Sequence, residues 1–179
     1  MPWSRAILAA VIAAIGCLIG DHLHVVRGVL VYTHPCCWQQ AWWVFPLFFG
    51  ATFAMFGLAK LLLPARPAEP PSVRMAAGDF LGFMTAYAFT AFANSLPTVV
   101  LGVLLTFWLA RVISGVPKGV VLLSLVCGLS GTLFEMCWAG LGMFTYLHPD
   151  FFNVALWLPS LYMHAALAGA SSWRVVDAK

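Results

Sequence analysis

Six apolar runs separated by short loop markers take up almost the whole chain and constrain it more than any other feature. They are Arg5–Val29, Ala41–Leu63, Met75–Ala93, Pro97–Val112, Gly119–Thr145 and Phe152–Val175. A helix crossing a hydrocarbon core of about 30 Å needs roughly 20 apolar residues, since each adds about 1.5 Å. The fourth run is short on this measure and has to draw on its flanks. Charge is correspondingly scarce: of 179 residues, 8% are charged and 63% hydrophobic. A soluble domain carries about a quarter charged residues. So few charges cannot clothe a soluble globule, and the apolar surplus must face lipid. The expectation is an all-α integral membrane protein, a six-transmembrane-helix bundle forming one domain over residues 1–179. The net charge of +3 comes without a basic cluster, which removes nucleic acid as a partner.

Proline and glycine mark the connections, because they end helices for steric reasons. The markers are Tyr32-Thr33-His34-Pro35, the stretch from Pro64 to Ser72, Asn94-Ser95, Ser114-Gly115-Val116-Pro117 and His148-Pro149-Asp150. With six spans, both termini and the second and fourth loops share one side. That side holds Arg5, Lys60, Arg66, Arg74, Arg111, Lys118, Arg174 and Lys179, leaving Arg27 alone on the other. Basic residues stay cytoplasmic, so both termini are expected in the cytoplasm. The N-terminal run lacks a small-x-small cleavage site and reads as a retained first span. Five cysteines, an odd number, imply no disulfide framework. Cys36-Cys37 beside His34 lacks a second ligand pair at matching spacing, so no metal site is expected.

A charge in hydrocarbon is costly, so ionisable residues inside spans are functional candidates. Asp79, Lys60, Arg66, Arg74, Arg111 and Arg174 sit at cytoplasmic ends, where snorkelling and helix dipoles account for them. Asp21, His24 and Arg27 in span one, Glu135 in span five and His164 in span six are not so explained. At helical rise Asp21 lies roughly 24 Å from the cytoplasmic face, Glu135 roughly 15 Å and His164 roughly 18 Å from the outer one. All three depths fall in or near the outer half of the bilayer. Two readings stay open: hydrogen bonds closed within the bundle, or a cavity wall offering polar partners to a ligand headgroup. On the second reading Asp21, His24, Glu135 and His164 take the headgroup, and Trp43, Phe45, Trp157 and Tyr162 line the acyl part.

Gly16-x-x-x-Gly20 and Ser124-x-x-x-Gly128 have the spacing of close helix approach, with Cys127, Gly131 and Glu135 on a neighbouring face. Trp38, Trp42, Trp43, Trp157 and Tyr146 cluster near the outer ends as an interfacial aromatic belt would. Two rival classes also use ionisable groups inside spans. A haem-bearing redox protein would need paired histidines at matched depth, with His24 and His164 the available pair. A small transporter would use midplane charges, but no internal repeat or pair of broken helices is visible to support one.

Certain strings are distinctive. Gln40-Ala41-Trp42-Trp43-Val44-Phe45-Pro46, followed by Gly50 and Gly57, resembles the start of the second span of the Insig family. Tyr146-Leu147-His148-Pro149-Asp150-Phe151, with Trp157-Leu158-Pro159, resembles that family's approach to its last span. Weaker likenesses are Arg27, Phe92-Ala93-Asn94, and Arg111 with Ser114-Gly115. They run in order along nearly the whole chain, and six spans is the family's topology. The resemblance implies a non-catalytic protein without cofactor that binds a diacylglycerol-like or sterol-like membrane lipid between helices. It also implies a homo-oligomer, with a trimer the first expectation. Animal members reside in the endoplasmic reticulum membrane and hold a sterol-sensing escort protein; they carry an acidic residue before the arginine after span four. Here that pair is Ala110-Arg111. The departure argues against an animal-type escort, and the short termini fit a bacterial relative in the inner membrane.

Overall fold

A computed structural model describes residues 3–63 and 72–178; Arg66, Lys179 and most of the proline-rich connector lie outside them. Its six helices are α1 (Trp3–Val26), α2 (Val44–Leu62), α3 (Val73–Phe92), α4 (Pro97–Ile113), α5 (Lys118–Gly140) and α6 (Leu158–Asp177). α1, α2 and α5 are long and apolar enough to cross a membrane, and α4 is a shorter apolar helix. α6 is more polar, yet over half of its residues are buried, and it packs against each of the other five helices. Sequestered at the centre, its polar groups need not meet lipid.

The expected apolar runs overshoot the helices at one end of the bundle. Residues after α1 and α5 leave the helix at Gly28 and Gly142, whose φ of 68° and 72° favours glycine. Each chain segment then forms a short strand, β1 (Leu30–Tyr32) or β2 (Phe144–Tyr146). The strands pair antiparallel, Leu30 with Tyr146, Val31 with Thr145 and Tyr32 with Phe144. This ribbon was not legible in the hydropathy, because an apolar strand residue looks like one more turn of helix.

The pairing exposes an internal repeat. One constant shift along the chain carries α1–β1–α2 onto α5–β2–α6. It superposes Gly28 on Gly142, Tyr32 on Tyr146, His34 on His148, Pro35 on Pro149, Ala41 on Ala155 and Trp43 on Trp157. Backbone detail follows the same shift. Trp38 and Gln39 adopt positive φ, as do Phe152 and Asn153. Trp43 and Trp157 cap α2 and α6 with identical dihedrals, φ −80° and ψ −8°. Contacts are reciprocal: Trp157 packs on His24 while Trp43 packs on Trp138, the residue equivalent to His24. Leu147 N donates to Val29 O, and Thr33 N donates to Met143 O. Reciprocity of this kind means a pseudo-twofold axis, which runs through the Val31–Thr145 pair and the crossing of Met55 with its own equivalent, Gly169. The expectation that the chain holds no repeat is therefore corrected. Helix positions tolerate almost any apolar side chain, so sequence identity survives only where turns and caps demand particular residues.

α3 and α4 have no counterparts in the repeat. α3 lies against α1 and α6, and α4 packs beside α6. Gly16 and Gly20 make the first seat possible: a Cβ at Gly16 would stand 2.5 Å from the Phe80 ring, and one at Gly20 2.7 Å from that of Tyr87. Asp79 and Arg111, read from the sequence as separate terminal charges, form an ion pair at 2.7 Å joining α3 to α4.

Candidate functional site

The two repeats enclose a cavity of about 130 Å³ between α1, α2, α3, α5 and α6, roofed by the ribbon. A buried water needs about 10–15 Å³ of such space, so the cavity can hold several waters or a length of acyl chain. Its wall is overwhelmingly apolar and aromatic, including Phe48, Phe80, Phe83, Phe134 and Phe144. Two carboxyl groups interrupt it, Asp21 from α1 and Glu135 from α5. They are equivalent in the repeat, each on the turn before the helix end, and each lies about 8 Å below that end at helical rise. The deeper position inferred for Glu135 is corrected, since α5 stops at Gly140 rather than continuing to Thr145.

Each carboxylate is held by a tyrosine from the strand of its own repeat. Tyr32 donates to Asp21 Oδ2 at 2.7 Å and Tyr146 to Glu135 Oε2 at 2.6 Å. Burial, followed by the nearby carboxylates, pushes both phenols well above their ordinary range, so they remain donors. A second donor differs between the halves: Gln40 Nε2 reaches Asp21 Oδ2 at 2.6 Å, and Tyr162 reaches Glu135 Oε1 at 2.6 Å. Gly131 creates the room for Tyr162, since a Cβ there would stand 2.5 Å from its ring. No Lys or Arg among the described residues pairs with either carboxylate, the Asp79–Arg111 pair being the one ion pair found among them. Arg27 instead lies over the Phe92 ring, 4.7 Å from its centroid.

Of the residues singled out from sequence, Asp21, His24, Trp43, Glu135 and Tyr162 line this cavity. Three do not. Phe45 is 36% exposed on α2 and stacks on Phe49, outside the cavity wall. Trp157 is fully buried behind the wall, where its Nε1–H donates to Asn94 at 3.3 Å. His164 donates from Nε2 to the Leu104 carbonyl at 3.0 Å, tying α6 to α4 instead of meeting a ligand. Helix phase explains the error for His164: a depth argument fixes height and leaves azimuth free. His24 donates from Nε2 to Thr90 Oγ1 at 2.8 Å, whose own hydroxyl donates to the Tyr87 carbonyl. His24 and His164 thus spend their nitrogens on different neighbours and do not face one another as a haem pair would. Among the described residues no three His, Cys, Asp or Glu side chains gather into a metal site. The belt reading suits Trp38 and Trp42, which are exposed, but Trp157 and Tyr146 are core residues. Sequence reasoning missed Tyr32 and Gln40 as partners of Asp21; for Tyr32 the repeated Tyr-x-His-Pro string was the available signal.

A helical bundle with leucines and isoleucines on its outer faces, closed around an apolar cavity that holds two carboxyl groups, defines a helical membrane protein with an internal chamber. No family model matches the chain. The INSIG protein homolog of Mycolicibacterium vanbaalenii is 32% identical over 179 residues, covering 93% of this chain and 84% of that one. The chain belongs to the Insig family. Solved structures agree: MvINS, a mycobacterial Insig homolog from Mycobacterium vanbaalenii, superposes with a TM-score of 0.86 at 27% identity, covering 97% of this chain and 94% of that one. A cross-linked MvINS trimer gives the same TM-score at 26% identity, with the same coverage.

Proposed function

We propose that the protein is a non-catalytic lipid-binding protein, a six-span bundle with both termini in the cytoplasm of a bacterial inner membrane. Its ligand is a neutral lipid of the diacylglycerol or sterol type, held in the chamber between the repeats. The observation carrying this reading is the pairing of an apolar chamber with two carboxyl groups that no Lys or Arg among the described residues pairs with. A wall of that character favours a ligand with apolar bulk and a hydroxyl that donates. It disfavours phosphate and free carboxylate headgroups, because an ionised group taken into an apolar chamber without a cation to pair it is costly. Family membership and the apolar lining support the same choice. Self-assembly as a trimer is part of the proposal, supported by the cross-linked trimer of MvINS. An animal-type escort protein is not expected as a partner, since Ala110 stands where animal members carry an acid.

Native mass spectrometry of protein extracted in mild detergent tests the proposal, reporting ligand mass and copy number together. A retained neutral lipid is expected; a protein carrying only phospholipid, or none, would overturn the ligand assignment. The internal repeat gives a second reading, a small transporter, a specific observation in its favour, since transporter folds are often built from repeats about a pseudo-twofold. Solute flux across proteoliposomes would separate transport from binding.

A further inference from the structure

The pseudo-twofold makes two equivalent windows in the wall of the chamber, one between α1 and α6, the other between α5 and α2. α3 closes the first. Phe80 and Tyr87 lie over Gly16 and Gly20, and Phe83 and Tyr87 form part of the chamber wall. No helix among the described residues occupies the second seat, and the equivalent residues are correspondingly barer. Asp21 and His24 are buried, while Glu135 and Trp138 are half-buried. Ala168 is buried and its mate Ala54 exposed; Gly16 is half-buried beneath Phe80 and its mate Ser130 exposed. Among the described residues lining the chamber, Ala51 on α2 alone is exposed, so the chamber reaches the surface there.

Both ends of this second window are shut. Trp43 packs edge-on to Trp138 at the ribbon end, and Gly119 lies against the Leu62 carbonyl at the other. The opening is therefore lateral, facing the hydrocarbon. Where Gly20 leaves space that Tyr87 of α3 fills, α5 carries Phe134, which lines the chamber itself. One polar group is also left over. His24 finds its acceptor on α3, in Thr90, whereas the indole Nε1–H of Trp138 is buried without a partner among the described residues. An unpaired buried donor is unfavourable, and an oxygen of a passing ligand would satisfy it.

Resting on the lipid-binding reading, we propose that the α2–α5 window is the lateral portal through which bilayer lipid reaches the chamber, with Phe134 as its inner gate. The occupant is a neutral lipid from the adjoining leaflet, because the window is continuous with the chamber and is bordered by no charged side chain other than Glu135 among the described residues. Ser130 and Ala54 border it without lining the chamber, and Ala54 lies one turn from Ala51 on the same face.

The test uses the full-length protein in phosphatidylcholine vesicles and an NBD-labelled diacylglycerol, with uptake and release followed separately. Ser130→Trp supplies from α5 the kind of ring that Phe80 supplies on the closed side. Uptake and release should both slow, by about tenfold or more. Leu109→Trp, on an exposed part of α4, should leave both rates at the wild-type value. Should Ser130→Trp fail to fold, Ala54→Trp carries the same expectation. Wild-type rates in the folded variant, or faster release alone, would overturn the portal while leaving lipid binding in place. Wild-type rates together with loss of the oligomer would also overturn it, assigning the seat to a helix of another copy. Absence of probe uptake by the wild type would overturn the lipid-binding reading and the portal with it.

Discussion

Asp21 and Glu135 occupy the same position in two halves of one repeat, and each accepts a hydrogen bond from the equivalent tyrosine, Tyr32 or Tyr146. The geometry ties the last turn of each long helix to the ribbon that roofs the chamber. Removing one phenol leaves a buried carboxylate short of a donor, which costs about 1–3 kcal/mol. Tyr146→Phe and Tyr32→Phe should each lower the midpoint of thermal unfolding in detergent. Glu135 keeps Tyr162 and Asp21 keeps Gln40, so neither variant should unfold outright. Midpoints matching wild type would mean that the tyrosines contribute nothing to holding the ribbon.

Glycines divide by what surrounds them. A Cβ at Gly131 would meet the Tyr162 ring at 2.5–2.7 Å, and the ring is held in place by its bond to Glu135. Overpacking of this kind costs about 1–3 kcal/mol. Nothing stands within 4 Å of a Cβ at Gly57, which lies in α2 with helical geometry. There alanine should stabilise by roughly 0.5–1 kcal/mol through reduced backbone entropy of the unfolded chain. Gly131→Ala should therefore melt below wild type and Gly57→Ala above it, and a reversed order would show that the packing around Tyr162 is soft.

The parts of the fold legible in the sequence are those set by hydropathy and punctuation. Six helices stand where apolar runs were found, and Pro97 opens α4 as expected of a first-turn proline. The close approaches at Gly16, Gly20 and Gly131 followed from small-residue spacing. Azimuth was not legible. Asp21 and Glu135 stand out as any carboxyl in an apolar run does, but depth alone puts His164 and Phe45 on the chamber wall, whereas each turns toward something else. The repeat stayed hidden for a related reason. Its conserved points, such as Gly28 and Gly142, sit in turns, while the helices between them exchange one apolar residue for another without effect on hydropathy. Gln40 could not have been assigned to Asp21, because their meeting depends on a loop whose path involves two residues, Trp38 and Gln39, at positive φ.

Topology yields a prediction independent of the site. In a background with the five native cysteines replaced, single cysteines at Ser72 and Lys118 should react with an impermeant thiol reagent only after the cytoplasmic face is opened. One at Asp150 should react in intact cells. Ser72 precedes α3 and Lys118 opens α5, with two helices between them, so six spans put them on the same side. Labelling of Ser72 and Lys118 from opposite faces would rule out the six-span arrangement.

The chamber reading separates residues that sequence alone grouped together. Asp21, Glu135 and His164 were equivalent candidates by depth, but only the first two line the chamber. Glu135→Gln and Asp21→Asn keep size while removing the full acceptor character of a carboxylate. An Asn oxygen can still accept from both Tyr32 and Gln40, and a Gln oxygen can accept from one tyrosine while its amide donates to the other phenol oxygen. If the carboxyl groups select a hydroxyl-bearing lipid, these variants should retain less of it, and the chamber should admit phospholipid more readily. His164→Leu removes the bond to the Leu104 carbonyl, which still accepts from its own helix, and should lower stability by about 0.5–1.5 kcal/mol. It touches no chamber surface, so lipid content per folded protein should stay at the wild-type level. Lipid extraction and mass spectrometry on each variant, normalised to folded protein and read beside a melting curve, measures both quantities. Equal lipid loss in His164→Leu and Glu135→Gln would mean that the bundle as a whole, rather than the two carboxyl groups, decides what the chamber holds.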